Sequence, residues 1–282
     1  MPKTQAMYLV PKELLGDLTP EELRHLKRRV VAANKAMGYW YQQIGRDCTS
    51  MTSGHVSARV PGTNTFITKG RAPDRDMMSE VTLQKIVQVD ISAREKVAGE
   101  MEVAPLGEIE LHSCVYEARP DVVSVCHAHS DYIILCGLFG LNLNFLPLSG
   151  GPRWSEYGVY DKFYRIASPE TGIPMAKALG DHNICLLVGH GATVASTRGP
   201  EECINRLMNL EELCKITWLA FSAVGKDYEK YGISDATYEE GRKVGANARM
   251  HDRYDTPGKN MGMDKCYYNA AMVKTYREAV EG

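Results

Sequence analysis

Between Thr19 and Gly225 the apolar residues switch repeatedly between helical and strand spacing, with no break in composition. That alternation restricts the chain to an α/β domain, because each element carries an apolar face that only a neighbouring layer can bury. "LTPEELRHLKRRVVAANKAMGYWYQQIG" opens the series, with Thr19 as cap, Pro20 at the first helical position and Glu22 completing a capping box; it ends near Gly45. "HVSARV" and "NTFITK" are short strands joined through the turn sequence "PGTN", as in an antiparallel hairpin. "SEVTLQKIVQVDI" gives a cap, a short helix and a strand, and "LGEIELHSCVYEARPDV" a helix stopped by Pro120. "VVSVCHAHS" is a strand, "SDYIILCGLFG" and "TGIPMAKALGD" are helices, and "NICLLVGHG" is a buried strand ending in a glycine turn. "GPEECINRLMNLEELCKITWLAFSAVG" is a long closing helix. Residues 1–224 are therefore expected to form one domain. Residues 225–282, rich in Lys, Arg, Tyr, Gly and Met, read as a C-terminal extension packed on that domain or on a neighbouring subunit, partly helical at "YNAAMVKTYREAVEG".

Charge narrows the partners. Thirty-three basic residues stand against thirty-five acidic ones, so no nucleic acid and no anionic membrane surface is expected, and a small molecule is the natural partner. No stretch approaches the ~18 to 20 apolar residues that span a bilayer, and the N-terminus lacks the apolar core of a leader. Cys126, Cys136, Cys185, Cys203 and Cys214 lie in apolar or helical patterns without CxxC spacing. They read as buried free thiols, and a cytoplasmic location is expected.

The chemistry begins at "SVCHAHS". On a strand, residues i and i+2 face the same way, so His127 and His129 could hold one ion, or could simply finish the strand. A third histidine shifts that balance, and His190 in "LLVGHGATV" ends a second apolar strand beside a glycine that permits close approach. Three imidazoles with an open coordination position suit a catalytic Zn2+, Mn2+, Fe2+ or Co2+. Glu108 and His112 lie four apart on the preceding helix and share a face. From spacing alone Glu108 is either an acid/base group or a first-turn carboxylate, and Glu110 a solvated helix residue.

The order "TSGHVSAR", "FITKGRAP", "EIELHSCVYEARPDVVSVCHAHS", "LLVGHGATV" resembles the class II aldolase/adducin family across residues 20 to 224, closest in motif to its branch of metal-dependent aromatic-carboxylate decarboxylases. The resemblance implies a three-layer αβα sandwich around a central, largely antiparallel sheet, assembled as a homotetramer with active sites between subunits. It implies one divalent transition metal per subunit, Zn2+ or Mn2+ with Fe2+ or Co2+ as alternatives, on His127, His129 and His190, and Glu108 as the general acid/base. Adducin itself lacks these ligands, whereas all three are present here.

Where family aldolases carry a phosphate cradle, this sequence reads Gly54-His55-Val56-Ser57, Thr68-Lys69-Gly70-Arg71 and Leu106-Gly107-Glu108. His55 replaces an amide, and Arg71 offers a planar fork that matches a carboxylate. His55, Ser57, Lys69 and Arg71 are thus the expected contacts to an anionic substrate, while Arg59 reads as structural. The expectation is a metal-dependent carbon–carbon lyase that decarboxylates a hydroxylated aromatic or heteroaromatic (di)carboxylate through a metal-stabilised enolate-like intermediate. The alternatives are an aldolase or epimerase on a small hydroxy-carbonyl or sugar-phosphate compound, and a non-catalytic adducin-like binding module. The resemblance also implies a tyrosine from a partner chain at the site, a part that Tyr267 and Tyr268 of the tail are expected to take.

Overall fold

Thr19 caps the first long helix as its sequence requires. Its hydroxyl accepts the N–H of Glu22 at 3.2 Å, and the Glu22 carboxylate accepts the N–H of Thr19 at 2.8 Å. The computed structural model describes residues 11–45, 53–71, 77–144 and 157–247. After a single helical turn at Lys12–Leu15, the elements run α1 (Pro20–Gln43), β1 (His55–Val60), β2 (Thr65–Lys69), β3 (Ile86–Asp90), β4 (Lys96–Ala98), α2 (Ile109–Ala118), β5 (Ser124–Ala128), α3 (Asp131–Phe139), β6 (Gly158–Tyr160), α4 (Pro169–Leu179), β7 (Ile184–Leu187), β8 (Gly191–Ser196), α5 (Pro200–Val224) and α6 (Asp235–Asn247).

The strands form one sheet in the order β4-β3-β2-β1-β5-β8-β7-β6, antiparallel at every pairing except β6 with β7. Its two faces carry separate cores. Cys126, Ala128 and Val194 pack with Ala33 and Met37 of α1, Ile133 of α3 and Leu207 of α5. Val125, Ala195 and Leu187 pack with Leu111 and Val115 of α2 and Met175 of α4. This is the αβα sandwich, and the alternation along β5 divides it: each second side chain belongs to a different layer.

Several elements went unforeseen. β4 and β6 are three residues long, too short for any period, and β8 ("GATVAS") is built of small residues whose burial no alternation marks. Helix α2 begins at Ile109, so Glu108 is its cap position rather than a residue within it. Glu110 is not solvated but buried, paired with Arg94 at 3.1 Å and accepting the Cys114 thiol. The six described cysteines, Cys114 among them, are buried free thiols. Beyond α5, a tight turn at Gly225–Tyr231 buries Tyr228, whose hydroxyl accepts the N–H of Asn142 at 2.6 Å. Tyr267 and Tyr268 lie outside the described residues. Among the described residues no helix is long and apolar enough to cross a membrane.

A carboxylate from α5 fixes the turn that follows β5. Buried Glu211 accepts the Ser130 hydroxyl at 2.7 Å and the backbone N–H groups of Tyr132 and Ile133 at 3.3 and 3.0 Å, so it satisfies donors at the N-terminus of α3. Glu211→Ala is expected to lower unfolding free energy by about 2–4 kcal/mol, since buried donors lose a charged acceptor. Urea denaturation checks this; an unchanged midpoint would show that the contact contributes nothing.

Candidate metal centre

His127 is the fourth residue of β5 and fully buried on the α2 side of the sheet. Its Nδ1 stands 2.9 Å from the Ala192 carbonyl, which can only accept. The ring therefore carries its proton on Nδ1 and turns an Nε2 lone pair inward. Burial, and after it the charges of His129 and His190, keep this imidazole far below the usual histidine range, so it is neutral. His129 follows the strand end, with its backbone N–H donated to the Tyr41 hydroxyl at 2.8 Å and its Nδ1 3.2 Å from Ser53 Oγ.

His190 enters from the turn between β7 and β8. Gly191 makes this approach possible, because at φ 150° a Cβ there would stand 2.1 Å from the Ala128 carbonyl oxygen. Burial pushes the His190 imidazole down too, with Glu108 partly restoring it. One nitrogen from each histidine and an oxygen of Glu108 lie within 4.8 Å of one another.

This donor set fits a divalent cation. The Nε2 atoms of His127 and His129 are 2.8 Å apart. With His127 Nε2 aprotic, the contact is either an N–H given by His129 or two lone pairs converging on one ion, whose nitrogen ligands stand about 3 Å apart. A neutral His127 is a ligand ready to bind without losing a proton first.

Glu108 is 7% exposed, and its oxygens are shared between donors. Oε1 accepts the Ile166 N–H at 3.2 Å and lies 3.7 Å from His190 Nε2; Oε2 lies 3.6 Å from His55 Nε2 and 3.8 Å from His127 Nε2. Burial, the largest single influence, raises its pKa, but the His55 contact and the charges of His55, His190 and His129 outweigh that and bring it to about 2. The group is a carboxylate at neutral pH.

The residues expected to meet an anion differ in their surroundings. His55 pairs with His127 across β1 and β5 and faces the same cluster. Ser57 is fully buried, and its hydroxyl is engaged by His112 and Tyr116 at 2.7 Å each, so it is an interior group rather than a substrate contact. Lys69 is buried at the end of β2, where desolvation pushes its ammonium down to about 8. Arg71 is exposed and donates from Nε to the Pro105 carbonyl at 3.1 Å. Arg59 donates to the carbonyls of Tyr116, Arg119 and Val122 and ties α2 to the sheet, a structural use.

One residue was missed. Exposed Arg165 brings its guanidinium over Gly107, where a Cβ would stand 2.0 Å from Nη2, and its charge acts on both His55 and His190. It lies in "GVYDKFYRIAS", between β6 and α4, and nothing in that stretch signals proximity to the histidines. The only trace is Gly107, whose missing side chain leaves room for the guanidinium.

Other proteins resemble this chain in sequence or in fold. A 3,4-dihydroxyphthalate decarboxylase of Arthrobacter keyseri is 29% identical over 182 residues, 61% of this chain and 71% of that protein. A second protein of that name, from Rhodococcus jostii, is 28% identical over 204 residues, 69% and 81% of the two chains. Among solved structures, an aldolase II superfamily protein from Pseudomonas syringae superposes with a TM-score of 0.67 at 19% identity, covering 93% of this chain and 95% of that one, which is a likeness of fold. The family description "Class II Aldolase and Adducin N-terminal domain" matches residues 36–218, a span that runs from within α1 to within α5 and takes in all three histidines and Glu108. By that match the chain belongs to the class II aldolase and adducin family.

Proposed function

We propose that the chain is a metal-dependent lyase that decarboxylates a hydroxylated aromatic or heteroaromatic (di)carboxylate, with one divalent transition ion, Zn2+ or Mn2+, on His127, His129 and His190. The observation that carries this reading is the Glu108 carboxylate converging with one nitrogen each of His127, His129 and His190 within 4.8 Å, beneath the guanidinium that Arg165 lays over Gly107. Two relatives named as decarboxylases of a dihydroxylated aromatic diacid support it. A bound ion would act as a Lewis acid toward substrate oxygens beside the breaking bond.

The chain's own groups supply the rest. Glu108, ionised at rest, takes the proton of a ring hydroxyl as the substrate binds. The bond between ring and carboxylate then breaks, CO2 leaves, and the electron pair stays on the ring carbon. Glu108 returns its proton to that carbon, and solvent reprotonates the phenolate. The Ile166 N–H keeps the carboxylate aimed throughout. His55 and Arg165 face the substrate's anionic oxygens, with Arg71 and Lys69 as the further cations proposed for a second carboxylate.

A second reading, aldol cleavage of a small hydroxy-carbonyl compound, is favoured by the same ionised Glu108, which would take the alcohol proton directly. Incubation with a panel of dihydroxyphthalates and of sugar phosphates separates the two: CO2 from the diacids alone is expected, and carbonyl products from the sugar phosphates alone would overturn the first reading. A metal-loaded protein that turns over neither would leave the adducin-like binding module. Arg165→Ala is expected to raise KM about tenfold or more for a dicarboxylate and little for the matching monocarboxylate, since one charged hydrogen-bond partner is lost. Equal effects on both would remove Arg165 from recognition. The proposed assembly is a cytoplasmic homotetramer with active sites between subunits, which a solution mass measurement checks.

A further inference from the structure

Behind the candidate site lies an unbroken line of buried hydrogen bonds. The Tyr116 hydroxyl is 2.7 Å from Ser57 Oγ, Ser57 Oγ is 2.7 Å from His112 Nδ1, and His112 Nε2 is 2.7 Å from His55 Nδ1. All four residues are 2% exposed or less. The line ends at His55 Nε2, a buried nitrogen with no hydrogen-bond partner among the described residues, 3.6 Å from Glu108 Oε2. Strand alternation puts His55 and Ser57 on one face of β1, and α2 lays His112 and Tyr116 over them, with Phe66 stacked on the His112 ring at 5.8 Å.

Such a line has two possible polarities, and its ends select one. At the inner end, the buried Tyr116 phenol stays protonated, and Ser57 Oγ at 2.7 Å is the acceptor its proton reaches. Ser57 then accepts from Tyr116 and has one proton to give. Its acceptors are His112 Nδ1 at 2.7 Å and the Val125 carbonyl at 3.4 Å, and the shorter bond takes it. Neutral His112, with Nδ1 accepting, carries its proton on Nε2 and donates to His55 Nδ1. At the outer end, a lone pair on His55 Nε2 would face a carboxylate oxygen, which is repulsive, whereas an N–H there is attracted. Both ends require the same direction.

We propose that Tyr116, Ser57 and His112 are positioning residues that hold His55 with its proton on Nε2, so that the site presents a fixed N–H donor beside Glu108 to an anionic oxygen of the substrate. This rests on the histidine cluster being the active site, and on neither choice of reaction. It also explains why the sequence pairs a strand serine with a helix histidine: neither reaches the substrate, and each passes on an orientation.

The test reads the tautomer directly. In zinc-loaded, full-chain protein labelled with 15N-histidine, long-range 1H–15N spectra assigned with His55→Gln are expected to show His55 with a protonated Nε2 and an unprotonated Nδ1. A proton on Nδ1, or averaging between the two nitrogens, would overturn the proposal without bearing on turnover. Ser57→Ala is expected to bring His55 into averaging while His127, held by Ala192, keeps its tautomer. The same variant should raise KM about tenfold with a smaller change in kcat, the loss of one oriented charge-assisted hydrogen bond. Ser57→Thr, which keeps the hydroxyl, should restore both readouts. A His55 tautomer indifferent to Ser57→Ala would reduce Ser57 to packing.

Discussion

His127→Ala is expected to purify with well under one equivalent of transition metal and to lose about a thousandfold or more in kcat/KM, the kinetic equivalent of about 4 kcal/mol of charge stabilisation. The size follows from where His127 sits. It is the fully buried member of the three, its ring is locked by the bond from Nδ1 to Ala192, and its Nε2 lies at the centre of the cluster, 2.8 Å from His129 Nε2 and 3.8 Å from Glu108. Truncation removes one of the three nitrogens proposed to hold the ion, and the remaining pair is not expected to hold a cation at catalytic occupancy. Wild-type protein stripped by a chelator should fall to the same residual rate and recover on adding back the ion, whereas His127→Ala should not recover. Unaltered far-ultraviolet dichroism would show that β5 survives. A variant that keeps a full equivalent of metal would refute the three-histidine site.

The convergence of the three histidines was legible in the sequence because each sits where a strand pattern stops: a two-residue period brings His127 and His129 to one side, and "GHG" announces a turn that admits His190. The rest of the site was less legible for a physical reason. Arg165 reaches the cluster through space from a segment between two elements, so no period encodes it. Ser57 shares its face of β1 with His55, which meets the cluster, and is interior only because His112 and Tyr116 of α2 lie over it, a packing that the strand's own period does not encode. Glu110 shows the same limit in reverse, since its burial depends on Arg94 arriving from the β3–β4 turn at 3.1 Å. Helix spacing describes a residue's own element; what covers that element is a matter of packing.

Glu108→Gln is expected to retain about one equivalent of metal while kcat falls about a hundredfold to ten-thousandfold, the range for loss of a positioned acid/base. Glutamine keeps the shape and the acceptor for the Ile166 N–H, so the substitution removes the charge and the proton-carrying oxygen and little else. Two roles for this carboxylate are compatible with an oxygen among the converging ligand atoms. As a fourth ligand it would bind the ion, and its loss would weaken metal affinity alongside the rate. As the proton carrier it leaves the ion to the histidines, and rate and occupancy separate. The second role is the one expected, because the Ile166 N–H and the His55 ring already engage one Glu108 oxygen each, even though Oε2 also stands 3.8 Å from His127 Nε2. Metal content measured beside turnover in this one variant decides the matter: loss of both together would make Glu108 a ligand and would require another group to move the proton.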